Sequence, residues 1–99
     1  MIRRDRPGEA DVLVLWRPAA SRWAEARRRG MADLSWREYL LRLSATAEEA
    51  RIAGLPVAWC GATPGQVAEC LRRHRLLNTP DGRAAAFVLL MMGDDEEEQ

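Results

Sequence analysis

The strongest hydrophobic pattern in the chain runs over residues 36–53 and has the period of an α-helix. At about 100° per residue, one face of this segment carries six apolar side chains: Trp36, Tyr39, Leu40, Leu43, Ala47 and Ala50. Ser35 and Glu38 have the spacing of a capping box at its start, and Gly54 followed by Pro56 favours an end. The segment is therefore predicted to be an amphipathic helix.

Two further helices are marked by threonines that precede prolines. Thr63 and Thr79 supply N-cap hydroxyls, and the proline after each is tolerated in the first turn of a helix. These signals predict helices over residues 64–75 and 80–92. After Arg83 the second of them is apolar on all sides, which is typical of a helix that is buried or lies at an interface.

The N-terminal part of the chain predicts one more helix and a short strand. Pro18 favours a helix start and Gly30 a helix end, which gives a helix over residues 18–29. The apolar runs 12–16 and 57–60 are long enough to pair as parallel strands, or the second could be an extended loop that lines the core. The predicted fold class is mainly α, a small single domain of four helices with a two-stranded β element left open.

Chain length and charge define the expected domain. A chain of 99 residues has room for one core, so residues 1–93 are assigned to a single helical domain with residues 1–10 as a polar lead-in. Residues 94–99 are predicted to be a flexible acidic tail that holds five of the 15 acidic residues. Fifteen arginines against ten acidic residues then give residues 1–93 a net charge of +5.

The sequence predicts neither a membrane span nor a catalytic site. No apolar run approaches the roughly 20 residues of a bilayer span, and the charged N-terminus is unlike a signal peptide, so a cytoplasmic location with free thiols is expected. Cys70 and His74 could meet on one helix face, but no third group orients them. With Cys60 they make three soft ligands, where structural zinc takes four. We therefore expect no enzyme activity, no cofactor and no metal.

Candidate binding residues are those that one small core does not use. Leu41, Ala45 and Ile52 lie behind the core face of the 36–53 helix and predict a surface for a partner or a second copy. Basic side chains in the last turns of two predicted helices give two further patches: Arg27, Arg28, Arg29, Arg72 and Arg73. Arginine and tryptophan are enriched at binding hot spots, although a chain without lysine is also typical of a G+C-rich gene.

Together these features predict a small non-enzymatic protein–protein interaction module. It could be an adaptor, an assembly factor or an inhibitor of a larger machine, of the kind that viruses and mobile elements use, with a protein or a second copy as partner. The alternative is an Arg-rich nucleic-acid-binding regulatory protein, because guanidinium groups contact phosphates. The helix that would have to enter a DNA groove, residues 84–92, has no hydrogen-bond donor beyond Arg83, which makes nucleic acid the less favoured partner.

Overall fold

Within residues 12–93, the fold consists of four α-helices and a pair of β-strands. The computed structural model describes residues 12–93; the predicted lead-in, residues 1–10, and the predicted acidic tail, residues 94–99, lie outside the described residues. The elements in chain order are β1 (Leu13–Trp16), α1 (Trp23–Arg28), α2 (Trp36–Ile52), β2 (Val57–Cys60), α3 (Pro64–Arg73) and α4 (Pro80–Met92). The predicted mainly α fold is confirmed.

Side-chain caps start three of the helices where the sequence predicts them. Ser35 Oγ accepts the Glu38 N–H at 3.1 Å while the Glu38 carboxylate accepts the Ser35 N–H at 3.2 Å. Thr63 and Gln66 make the same reciprocal pair at the start of α3, and Thr79 caps α4. Each bond satisfies an N–H group for which the first turn of a helix has no carbonyl partner.

The first helix is shorter than predicted. Instead of spanning 18–29, it consists of a 3₁₀ turn over Ala20–Arg22 followed by α1. Neither Ala19 nor Arg22 provides a side-chain cap, so the first N–H groups of this segment are not held in α-helical geometry. The predicted end is confirmed, because Gly30 follows α1 with φ of 74°.

The helix α3 ends on a left-handed residue that is not glycine. Its last helical residue is Arg73, two residues before the predicted end, and Arg75 has φ of 55°. The Leu76 N–H donates to the Leu71 carbonyl at 2.8 Å, which closes the turn as glycine does after the other helices. A side chain in this conformation costs about 1–2 kcal/mol.

The two strands form a parallel pair. Leu13 lies opposite Val57 and Trp16 opposite Cys60, so residues 57–60 are a strand and not a loop. Parallel strands need a long crossover connection, which α1 and α2 provide. Because side chains alternate along a strand, Trp16 and Cys60 point to the same side, and both belong to the core.

The core is centred on Trp16, which is 3% exposed. Its ring stacks on Phe87 of α4 with a centroid distance of 5.2 Å and lies 6.1 Å from the ring of Trp23 in α1. Its indole Nε1 donates to the Ala62 carbonyl at 2.9 Å, just before α3. Its own carbonyl accepts a hydrogen bond from the Tyr39 hydroxyl of α2 at 2.5 Å. One residue therefore contacts every helix or the turn that leads into it.

A tight turn between α3 and α4 brings the start of α4 to the end of α1. Asn78 Nδ2 donates to the Arg29 carbonyl at 3.1 Å, and Asn78 Oδ1 accepts from the Arg83 guanidinium at 2.6 Å. The turn passes so close to α4 that a Cβ on Gly82 would overlap the carbonyl oxygen of Leu77. Only glycine fits at residue 82.

We predict that Gly82→Ala destabilises the protein. In an ordinary helix alanine is favoured over glycine by about 1 kcal/mol, but here the overlap with Leu77 forces the backbone apart, and we expect a loss of about 1–3 kcal/mol. Gly65→Ala in α3 is the matched control, because its added Cβ meets no atom closer than 3.9 Å. Urea unfolding measures both variants, and equal midpoints would contradict the tight turn.

Candidate interaction surfaces

A stripe of exposed apolar side chains runs along α4. Val88 is 41% exposed, Met91 44% and Met92 64%, whereas Ala86 on the opposite side is completely buried. Five exposed residues, spaced so that they share one side of the helix, form what we call the α4 face: Ala84, Ala85, Val88, Met91 and Met92. The sequence predicted that α4 is buried or lies at an interface. Within residues 12–93, only the side of α4 that carries Ala86 is buried, and the α4 face is exposed.

The inner side of α4 packs against the core and holds the helix in place. Ala86 is in the core cluster, and Phe87, Leu89 and Leu90 are half-buried against it. The helix packs on α3 and on both strands. A helix on the surface of a monomer usually carries polar residues on its outer side, so the apolar α4 face is the exception that needs an explanation.

A cleft of about 510 Å³ lies at the N-terminal end of α4. Its wall comes from the end of α1, the following turn and the first turn of α4, and its charged lining residues are Arg27, Asp33 and Arg83. An adjoining cleft of about 470 Å³ shares Arg27 and Asp33 and adds Arg28. We call the two together the arginine cleft; its three arginines and one aspartate give a net charge of +2.

The arginines of this cleft differ in their surroundings. Arg27 and Arg28 are exposed, and neither forms an ion pair with any residue among 12–93. Arg83 is partly buried, which lowers the pKa of its guanidinium below the usual value. Arg29, the third residue of the predicted patch, instead donates from Nε to Glu25 at 2.9 Å, and this bond holds the pKa of the Glu25 carboxyl below its usual range.

The second predicted basic patch is at the end of α3. Arg72 Nε donates to Glu69 at 3.2 Å, and the same carboxylate accepts a second bond from the Arg72 guanidinium. Arg73 lies beside it in the last turn. Arg72 is thus already paired along its own helix, whereas Arg27 and Arg28 of the first patch present open guanidinium groups.

The predicted strip on α2 is exposed but is not continuous. Leu41 is 65% exposed and Ile52 72%, and Ala45 between them is also exposed. Glu48 lies three residues after Ala45 and four before Ile52, so it falls within the strip, and it accepts a hydrogen bond from Arg51 at 3.2 Å. A partner on this side of α2 would have to desolvate that ion pair, which is unfavourable. Between Ala84 and Met92 the α4 face carries no charged side chain; Asp81 lies at its N-terminal end.

The two cysteine thiols lie in the core. Cys70 is 0% exposed and Cys60 2%, neither is in a disulfide, and burial raises the pKa of the Cys60 thiol. His74 is exposed at the C-cap of α3. Nucleophilic cysteines need an accessible thiolate, which the buried thiols do not provide. Within the described part of the chain, no three His, Cys, Asp or Glu side chains are grouped so that they could hold a metal ion.

Sequence patterns did not single out the α4 face or Arg83. A helix that is apolar all round has no periodicity that tells the core side from the outer side. The available signal is the single aromatic residue Phe87, which marks the core side because large aromatic groups dominate small cores. Arg83 could have been found as the one charged side chain between Gly82 and Gly93.

Two further findings do not concern a particular surface. None of the helices within residues 12–93 combines the length and the hydrophobicity that a bilayer span requires. Comparison of the chain with protein-family models, with curated proteins and with solved structures finds no match. The exposed side chains and their charges are what indicate a function.

We predict an alkaline loss of stability that depends on Tyr39. Burial raises the pKa of its hydroxyl from 10.0 to about 12, against the effect of the nearby Arg83 charge. An unfolded chain ionises its tyrosine near pH 10 while the folded chain holds the proton, so stability is full below about pH 10 and falls as the pH rises to about 12. Tyr39→Phe should remove the part of this pH dependence that comes from the tyrosine, while the buried Cys60 thiol, whose pKa is also raised, keeps its own part. The loss of the hydroxyl should cost about 1 kcal/mol at neutral pH.

Urea unfolding at a series of pH values measures the effect on stability. Tyr39 is the only tyrosine in the chain, so tyrosinate absorbance reports its ionisation without interference from a second one. An ionisation midpoint near 10 in the folded protein would show that the Tyr39 hydroxyl is not buried as described.

Proposed function

We propose that this chain is a small non-enzymatic protein–protein interaction domain and that the α4 face is its main contact surface. The observation that carries the proposal is the exposure of Val88, Met91 and Met92 on a helix whose other side completes the core. Contiguous exposed apolar side chains on a soluble domain commonly mark an interaction site. Methionine favours this role because its flexible thioether adapts to the shape of a partner.

The arginine cleft lies at the N-terminal end of α4, around the helix from the α4 face, because Arg83 shares its side of the helix with Ala86 and Leu90. Pro80 and Arg83 belong to α4 and also line the cleft, so a partner that covers the α4 face comes close to the cleft. Arg27 and Arg28 can then bind carboxylates without first breaking an ion pair among the described residues. The surface suits a partner that offers an apolar helix followed by acidic residues.

Nucleic acid is the second candidate, and the open guanidinium groups of Arg27 and Arg28 favour it. Phosphate contacts of this kind give affinity without sequence selectivity. Three arginines beside an apolar helix face make a small electrostatic footprint, and α4 adds no donor for base edges beyond Arg83. The chemistry of the surface therefore supports a protein partner over a nucleic acid.

We predict that a protein captured from the native host depends on the α4 face. Val88→Glu with Met91→Glu places two charges in the apolar stripe and should abolish retention of the partner. Leu41→Glu with Ile52→Glu is the matched control, since it makes the same change at exposed apolar residues of α2. Quantitative mass spectrometry compares the three baits after crosslinking. A loss with the α2 variant alone would assign the interaction to α2. Equal losses with both variants, or no loss with either, would contradict the α4 face as the main contact surface.

We further predict no sequence-selective binding of duplex DNA or RNA at about 150 mM salt. If the arginine cleft were a nucleic-acid site, affinity for duplex DNA would fall with salt with a log–log slope of about −0.9 per phosphate contacted. Fluorescence titration over a range of salt concentrations measures this slope. The test pair is Arg27→Glu with Arg28→Glu, and Arg42→Glu on α2 is the control at an exposed arginine outside the cleft. Submicromolar, selective binding that only the cleft variant loses would favour the nucleic-acid alternative.

A further inference from the structure

We infer that the α4 face binds a second copy of this chain, with the two α4 helices antiparallel about a two-fold axis at Val88. The inference rests on the proposed function, because it uses the same face and names its occupant. Two independent features support it: the sizes of the side chains along the α4 face and the charges at its two ends.

The side chains of the α4 face are self-complementary when the helices run in opposite directions. A two-fold axis at Val88 brings together positions that are equally far from it on either side. Ala84 of one copy then meets Met92 of the other, and Ala85 meets Met91, so each long side chain lies opposite a short one. A parallel pair would instead stack methionine on methionine and leave a gap between the alanines. Alanines at both ends allow the helices to approach to about 8 Å.

The charges at the ends of α4 favour the same direction. The acidic residues 94–98 follow the C-terminal end of α4, where the helix dipole is negative and repels them. In an antiparallel pair that end lies beside the positive N-terminal end of the other α4, because Gly93 and Arg83 are equally far from Val88. An interaction that is unfavourable within one chain becomes favourable between two.

The length of the acidic segment allows it to reach the arginine cleft of the second copy. Residues 94–99 can span about 20 Å when extended, and in the antiparallel pair they start level with Gly82 of the other copy. That length suffices to pass around the first turn of α4 to Arg83, which lines the cleft from the side of Ala86. Asp33 and Asp81 lie at the same end, but Arg27, Arg28 and Arg83 outnumber them. Each copy would place its five acids against the other's arginines.

These features also set the expected strength of the dimer. With 13 residues, α4 is about 20 Å long, so the helix pair by itself is small compared with the roughly 1,200–2,000 Å² of a stable interface. The contacts of the acidic residues of each copy with the arginine cleft of the other copy have to enlarge this interface. We therefore expect a weak dimer whose dissociation constant rises with salt concentration.

The oligomeric state of the full chain tests the inference. Sedimentation equilibrium over a series of protein concentrations should show a monomer–dimer equilibrium that Val88→Glu with Met91→Glu abolishes. Leu41→Glu with Ile52→Glu on α2 should leave it unchanged. Because Val88 lies on the proposed axis, Val88→Cys should form a disulfide-linked dimer under mild oxidation, while the buried Cys60 and Cys70 do not react.

The antiparallel direction has its own test in side-chain exchange. In the antiparallel pair, Ala84→Met with Ala85→Met replaces each contact of a long with a short side chain by a contact of two long ones, and should raise the dissociation constant at least tenfold. In a parallel pair the same change would fill the gap between the alanines and would not weaken the dimer. Adding Met91→Ala and Met92→Ala to that variant restores one long and one short side chain at each position and should restore dimerisation. Circular dichroism confirms that each variant is folded. A full exchange that fails to recover dimerisation would overturn the antiparallel arrangement.

The acidic contact is tested by a chain that ends at Gly93. At low salt, the dissociation constant of this shortened dimer should be at least tenfold higher than that of the full chain, and it should change little with salt concentration. The variant Arg27→Glu with Arg28→Glu should behave in the same way. Equal salt dependence in the full and shortened chains would overturn this part of the inference.

The result also separates the inference from the proposed function. A chain that stays monomeric at every concentration, yet loses a host protein when the α4 face is charged, would overturn the second copy as occupant and leave the interaction domain standing. If the chain is a monomer and charged residues on the α4 face change no interaction with a host protein, both the dimer and the proposed function are overturned.

Discussion

The fold depends on the burial of Trp16 at the end of β1. Its ring is packed against Phe87 and Trp23, and its two polar groups bond to the Ala62 carbonyl and the Tyr39 hydroxyl. The large aromatic area supplies hydrophobic stabilisation, and the two bonds fix the orientation of the residue. Because these partners lie in different parts of the chain, the position of α4, and with it the exposed α4 face, follows from where Trp16 lies.

Local signals along the chain predicted the helices well, since helix starts are decided by nearby groups. Ser35, Thr63 and Thr79 each bond to an N–H group three residues later, and these bonds need no other part of the fold. The shortened α1 follows from the same rule, because no cap is present there. Pairing of β1 with β2 was left open, because it depends on Trp16 and Cys60 meeting across a long stretch of sequence.

The candidate site was harder to predict because exposure is a property of the whole fold. Leu41 and Ile52 were correctly expected to lie away from the core side of α2, since that helix has a polar pattern to compare them with. Val88 and Met92 have no polar neighbours on α4, so only the packing against the strands and α3 shows that they are outside. Arg83 became part of a cleft through its contact with Asn78, which brings the turn before α4 to the end of α1.

The parallel pairing of β1 with β2 has a consequence for the order in which the chain can fold during synthesis. Leu13 pairs with Val57, which is made 44 residues later, a delay of about 2–9 s on a ribosome. Throughout that interval β1 has no strand to pair with, and Trp16 waits still longer for Phe87. During this time the apolar strand β1 is exposed to other chains. The nascent protein therefore folds correctly only if aggregation is slow, or if a chaperone covers β1, until Phe87 has been synthesised.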